Sequence, residues 1–371
     1  KYTLGAIDSG VHPPVVTAIA KYHFTEIFRD SLNDTMDILG GAAISMGPRN
    51  LVAHAYFGAP IAITVEGANI LTRTLIIFGQ GAIRAHSYAY AELEALESQN
   101  AKAFDKAFWG HMGLIVRNTF RATLLSLTRG AIAGVPSGAG PLAKYYRKLS
   151  WASAVFGFMA DVALGTLGGG LKAKGKLSGR YADVLSYMYF ASAVLKRYEV
   201  EKKEEDLAIV RWTLKTCFAK IQEGFEAIYA NFNVPLVGWF FKGPIKWCAS
   251  FNSFGYAPSD ELDFRLARTI QTPGAQRERL TEGLYIPTDS EDPFAQLEET
   301  FHLSFETKKI FKKVRVEVKK KNLPKVKGKA LLDAAKQKSV INDEEYKQLL
   351  EIETRRLATI QVDDFTNDYR P

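Results

Sequence analysis

Cysteine is almost absent from the sequence: Cys217 and Cys248 are the only two among 371 residues. Two thiols make neither a disulfide framework nor a metal cluster, which suits a reducing compartment and argues against a zinc or iron–sulfur site. Strand patterning is also scarce, confined to scraps such as LYIP at 284–287. No G-x-S-x-G elbow and no Cys/His pair is present, so the common nucleophile arrangements are missing. His23, His86 and His111 sit in helical pattern with no second ligand at metal spacing, and are read as structural. No stretch has the build of a signal peptide, so the expected location is cytoplasmic. The chain opens on Lys1, not methionine, and is read as part of a longer protein.

Two near-matches are set aside. GLKAKGKL (170–177) almost spells a phosphate loop, but Leu177 stands where the magnesium-binding hydroxyl belongs and a helix precedes it. WASAVFGFMADVALGTLGGGL (151–171) is long enough to suggest a membrane span. Asp161 and the glycines at 165, 168, 169 and 170 indicate a packed helix with a tight end instead.

Hydrophobic residues make up 47% of the chain and charged ones 24%, a normal globular balance with material for two or three cores. The net charge of +8 is local. KKIFKKVRVEVKKKNLPKVKGK (308–329) holds eleven Lys or Arg and one acid, Glu317, so the remainder is slightly acidic. This excludes a spread-out nucleic-acid surface. Ile310, Phe311, Val314 and Val318 share one side of that stretch, so it reads as a surface helix with a solvated basic face; the alternative is a peripheral contact with the inner membrane through 308–329.

Helical periodicity runs through most of the chain, giving an all-α class. Pro13 and Pro14 open a first helix with the apolar series Val16, Ile19, Ala20, Ile27, Leu32 and Met36, and Gly40 and Gly41 stop it. A loop is expected through Pro48 and Pro60, then helices at about 69–97, 102–129, 142–167, 177–201 and 204–231, the last of these forming a bundle. From 233 to 257 the sequence is rich in aromatics, proline and glycine, read as a loop packed on the bundle, with an exposed aromatic patch as the alternative. A small helical tail follows over 258–371, with Pro258 and Pro293 opening helices, Leu331–Lys338 forming another, and Asn342 with Glu345 capping the last.

Glu66 stands alone between an apolar run and a glycine in ITVEGANILTR (63–73). Among Ile61, Ile63, Val65 and Ile70 a carboxylate would be desolvated and a stronger base, though a surface glutamate near a helix start is the plainer reading of these residues by themselves.

DILGGAAISMGPRN (37–50) followed by VEGANILTR (65–73) resembles the paired C-terminal signature of acyl-CoA dehydrogenases, Q-x-x-G-G and then E-G-T-x-x-x-x-R. KYHFTEIFRDSLNDTMDILGG, PIAITVEGANILTRTLIIFGQGAIRAHSY, the 161–199 stretch and the closing VDDF are similar to the long bacterial enzymes of fatty-acid β-oxidation, the FadE type. The resemblance spans essentially the whole chain. It implies the end of the dehydrogenase helical domain over 1–98 and an added C-terminal helical domain over 101–371, divided into a bundle (101–232), an aromatic segment (233–257) and a tail (258–371).

The resemblance further implies that Glu66 is the catalytic base. It would take the α-proton of a fatty acyl-CoA while the β-hydrogen leaves as hydride to FAD, giving the trans-2-enoyl-CoA. The thioester carbonyl would be held by the Glu66 backbone N–H and a flavin hydroxyl, with Gly67 allowing close approach. Asp37, Gly40 and Gly41 would reach FAD of a neighbouring subunit, and Ala68 and Ile70 would touch FAD. Asp37 replaces the usual glutamine, and Ala68 and Ile70 stand where threonine and glutamine are common, so those polar contacts must differ. Arg49 and Arg73 fit either phosphate anchors or structural ion pairs. Implied partners are fatty acyl-CoA, electron-transfer flavoprotein and a second subunit in a homodimer, with no nucleic acid. The domains expected to hold most of the flavin precede these segments, so the chain alone is expected to bind FAD weakly and not turn over. The alternatives are an acyl-CoA oxidase and a non-catalytic helical dimerisation or membrane-docking module.

Overall fold

The computed structural model describes residues 2–13 and 15–368. Among these residues all regular structure is helical, and LYIP, expected to hint at strand, is irregular. Contacts divide the chain into two compact units, one of residues 1–26 with 63–266 and the other of 27–62 with 267–371.

Helix α1, Val16–Leu39, serves both units. Ile19 and Val15 enter the core of the first, while Leu32, Met36 and Leu39 pack with Ala43, Val52 and Ala59 in the second. Ile27, expected on the buried stripe, is exposed. Gly40 ends the helix at φ 58°, a left-handed stop that glycine takes without strain. Pro14, expected to open α1, lies outside the described residues.

Four long helices build the first unit: α2 (Ala101–Leu127), α3 (Ala143–Leu167), α4 (Gly175–Glu201) and α5 (Leu207–Asn231). They lie close to the expected spans because each carries an uninterrupted 3.6-residue apolar repeat. Phe78 stacks on Tyr181 at 4.4 Å, and the Tyr181 hydroxyl donates to the Met159 carbonyl, so the buried ring keeps its polar end paired. Phe78, Phe218 and Phe225 are fully buried, each contributing about 2–3 kcal/mol by removal from water. α3 is apolar and long enough to cross a membrane by composition, yet Trp151, Ala152, Met159 and Ala163 belong to the protein core.

Two expectations fail locally. The loop through Pro60 is instead a helix, Ala53–Thr64, containing that proline. Proline removes one backbone bond, and the helix-forming alanines around it keep the remainder wound. The single helix expected over 69–97 is broken into Asn69–Leu71, a π-helix at Thr72–Gly79, Gly81–Ala85 and Ala89–Glu97. Glycines permit the wider turn: a Cβ on Gly81 would fall 2.4 Å from the Ile76 carbonyl oxygen, and one on Gly79 2.9 Å from that of Thr74.

The second unit gathers α6 (Pro293–Glu306), α7 (Lys308–Lys319), α8 (Gly328–Gln337) and α9 (Asp343–Thr359) around Val314, Leu332, Leu349 and Ile352. Asn342 and Glu345 form the expected capping box. In α7, Val314 is buried and Ile310, Phe311 and Val318 pack on this core, so most of its apolar side is covered, and Val316 faces outward with the lysines. After α9 the segment through Asp363 returns to the loop behind α1. Its carboxylate accepts from the Ser45 hydroxyl (2.7 Å) and the Arg49 backbone N–H (3.0 Å), leaving no room for a side chain on Gly47.

Candidate functional site

Glu66 lies in the bend between Thr64 and Asn69. Its φ is 53° and that of Gly67 is 92°, two consecutive left-handed residues. For glutamate this conformation costs roughly 1 kcal/mol or more and persists only where neighbours impose it.

The imposing residues are on α1, one turn apart. Lys21 Nζ donates to the Gly67 carbonyl (2.8 Å), to Asn69 Oδ1 (2.6 Å) and to the Ile63 carbonyl (3.3 Å). The buried Asn69 amide donates in turn to Glu26 Oε1 (2.6 Å) and Thr25 Oγ1 (2.9 Å). Thr72 Oγ1 adds a second donor to the Gly67 carbonyl at 3.1 Å. The peptide after Gly67 is therefore held by two donors. Charge-assisted bonds of this kind are worth roughly 1.5–3 kcal/mol each against loss of the partner.

The Glu66 side chain itself is exposed. That corrects the expected desolvation: Ile61, Val65 and Ile70, the last 80% exposed, present apolar surface to solvent and do not enclose the carboxylate. Among the described residues no hydrogen bond or ion pair holds it. Ala68 is exposed as well.

Asp37, Gly40 and Gly41 belong to the other compact unit. All three are exposed. A Cβ on Gly40 would meet nothing within 4 Å, whereas one on Gly41 would lie 3.2 Å from Val362 Cγ1. Both candidate arginines are structural. Arg73 forms a two-pronged pair with Asp183, Nε to Oδ1 at 2.8 Å, and Arg49 donates to the Ala358 carbonyl at 2.5 Å.

A polar cluster with no linear signature joins four helices of the first unit. His86 Nδ1 accepts the backbone N–H groups of Tyr88 and Ala89, so its proton sits on Nε2 and is donated to Asp161 Oδ1 at 3.0 Å. His111 Nδ1 donates to Glu92 Oε1 at 2.8 Å, turning Nε2 toward Asp161 Oδ1 at 3.8 Å. His111 Nε2 and Asp161 Oδ2 are buried without a partner. His86, His111 and Asp161 are close enough for a metal. With both His86 nitrogens committed, only His111 and Asp161 remain as open donors, short of the three or four protein ligands of a transition-metal site. The residues lie 25 and 50 positions apart, and the only sequence signal was the lone acid Asp161 in an apolar helix.

Residues 83–365, well over half of the chain, match the family model described as "Acyl-CoA dehydrogenase, C-terminal, bacterial type". Glu66 and the Gly40–Gly41 pair precede the matched residues. No solved structure matches the chain.

Proposed function

The chain belongs to the acyl-CoA dehydrogenase family through its bacterial-type C-terminal domain, and from that premise we propose that it supplies the catalytic-base segment of a flavin-dependent enzyme of the FadE type that oxidises fatty acyl-CoA to trans-2-enoyl-CoA. The observation that carries this reading is the left-handed Glu66–Gly67 pair pinned by Lys21 and Asn69. Among the described residues six others besides glycine share the positive φ, Gln99 and Lys202 among them. What sets Glu66 apart is the left-handed glycine that follows it together with the charge-assisted bond from Lys21 to that glycine's carbonyl, which hold the backbone beneath a solvent-facing carboxylate in one position.

An α-proton beside a thioester is far less acidic than any carboxylic acid, so removing it requires stabilisation of charge on the carbonyl oxygen at the same moment. Glu66 supplies the accepting carboxylate. Its backbone N–H would be the donor to the carbonyl oxygen, so the backbone path from Val65 to Ala68 matters, and Lys21 and Thr72 hold the far end of that path at the Gly67 carbonyl. Gly67 keeps the approach free of a Cβ, and Lys21 holds the peptide from behind. FAD, when bound, supplies the hydride acceptor.

The residues present fit a flavin through main chain. Gly40 is exposed with open space at its Cβ position, and Ala68 and Ile70 expose backbone but offer no polar side chain. Asp37 offers only an acceptor. In this reading electrons pass to electron-transfer flavoprotein and the enzyme is a homodimer.

The test uses the complete enzyme. Under anaerobic conditions a long-chain acyl-CoA bleaches the flavin absorbance of the native protein; Glu66→Gln should keep its flavin and fail to bleach. Equal bleaching in both would remove Glu66 from the role of base. Stoichiometric hydrogen peroxide in air would favour the oxidase.

A further inference from the structure

The first unit carries an open apolar cleft of about 770 Å³ between α2, α3 and the aromatic segment after α5. Its floor is Trp151, Val155, Met159 and Phe254, and its lip is Leu127, Trp247 and Phe251. The aromatic segment, expected as a packed loop, is instead three short helical pieces, Val237–Phe240, Phe241–Ile245 and Lys246–Phe251. Phe241 and Phe254 anchor it in the core. Trp239, Trp247 and Phe251 are each about two-thirds or more exposed. The apolar surface continues along α2, where Val116, Phe120 and Leu127 recur at helical spacing and are all exposed.

The charges around this surface are predominantly basic, with Asp105 at the start of α2 and Glu226 beside Gln222 as acids at its margins. Residues 106–160 contain seven Lys or Arg and no Asp or Glu, and residues 227–259 contain Lys242 and Lys246 and no acid. Arg117 and Arg121 are exposed beside Phe120, and Lys246 is exposed beside Trp247. The lip is tied in place: Arg129 donates to the Phe251 carbonyl at 3.1 Å, and Lys148 to that of Phe254 at 2.5 Å.

We propose that this face, the exposed side of α2 with the aromatic helices 237–251, docks on an anionic lipid bilayer. Exposed tryptophan and phenylalanine flanked by arginine and lysine suit the boundary between headgroups and acyl chains, where an aromatic ring is buried without its polar end losing water. Each basic residue near an anionic surface adds about 1 kcal/mol at moderate salt. A second copy of this chain is a poor occupant, since the same face on both partners would set Arg117, Arg121, Lys242 and Lys246 against each other, with Asp105 and Glu226 at its margins as the acids to pair them. The contact is peripheral, because the apolar residues of α3 are spent on the core. It differs from the contact expected at 308–329, where most of the apolar side of the helix is covered. The inference does not depend on the dehydrogenase reading.

Co-sedimentation of the full chain with vesicles tests it. Binding is expected to phosphatidylcholine vesicles containing phosphatidylglycerol, to weaken as salt is raised, and to be at least tenfold weaker with phosphatidylcholine alone. Trp247→Ser with Phe251→Ser should lower the anionic-vesicle affinity by tenfold or more. Arg121→Glu with Lys246→Glu, both at exposed helical positions, should do the same with an unchanged melting temperature. Lys309→Glu in the second unit should leave binding intact, and brominated lipid should quench the native tryptophan fluorescence. No binding to anionic vesicles, binding indifferent to both double variants, or binding lost only with Lys309→Glu would overturn the proposal. So would a dimer that the Trp247 and Phe251 substitutions dissociate in a chain that ignores vesicles.

Discussion

Lys21 Nζ lies 2.8 Å from the carbonyl oxygen of Gly67, reaching across 46 residues of chain to hold the peptide that follows Gly67, next to Glu66. Lys21→Met keeps the length of the side chain and removes three donor contacts. In the complete enzyme, kcat should fall about 10- to 100-fold with flavin content unchanged, as expected for loss of one or two charge-assisted bonds that position a reacting group. Steady-state kinetics beside flavin absorbance would show it; an unchanged kcat would leave Lys21 a purely structural residue.

His23 is buried among Tyr22, Tyr187 and Phe190, and burial lowers its pKa from 6.5 to about 4, with Asp183 partly offsetting and Arg73 reinforcing the shift. Between those values the unfolded chain binds a proton on His23 that the folded chain does not. Stability therefore rises with pH across about 4 to 6.5, by on the order of 3 kcal/mol in total, and is level above that window. His23→Leu should flatten this part of the curve of urea midpoint against pH. An unaltered slope would assign the dependence elsewhere.

Cys217 is buried in α5, and burial pushes its thiol up to about 12, whereas Cys248 is exposed. Native protein should react with one equivalent of a thiol-specific disulfide reagent and denatured protein with two. Cys248→Ser should abolish the native reaction.

Gly81 sits where the π-turn closes. Gly81→Ala would place a methyl 2.4 Å from the Ile76 carbonyl oxygen and 3.0 Å from Val15 Cγ2, and backbone cannot step aside as a side chain can. A loss of about 1–3 kcal/mol in chemical denaturation is expected. A neutral outcome would show that this turn relaxes to ordinary helix at little cost.

The long helices α2 to α5 were legible because each presents one apolar stripe to one core, so local pattern and tertiary packing agree. The same rule failed between residues 53 and 97. At Pro60 a loop was expected and the helix runs on through the proline, while at Gly79 and Gly81 the helical pattern persists but the backbone departs from it for reasons set by carbonyl contacts that periodicity does not encode. Glu66 could be singled out in the sequence; its conformation could not, because its cause is Lys21 on a distant turn. The desolvation expected from its apolar neighbours was wrong since adjacency in sequence is not enclosure in space. His86 and His111 read as structural histidines and Asp161 as the mark of a packed helix, and only the meeting of separate helices makes them a cluster.

The bonds from Ser45 and Arg49 to Asp363 span 318 and 314 residues. During synthesis every residue of the first unit has left the ribosome once Leu266 emerges, while residues 27–62 still lack their partners from 267 onward. The first unit can therefore fold around one half of α1 while Ser45 and Arg49, in the loop behind the other half, stand exposed without Asp363 for about a hundred further residues, which at ordinary elongation rates takes roughly 5–20 seconds. Nascent chains stalled short of residue 363 should be the ones that engage chaperones, and a slowed ribosome between 267 and 363 would lengthen that exposure without altering a single contact of the finished fold.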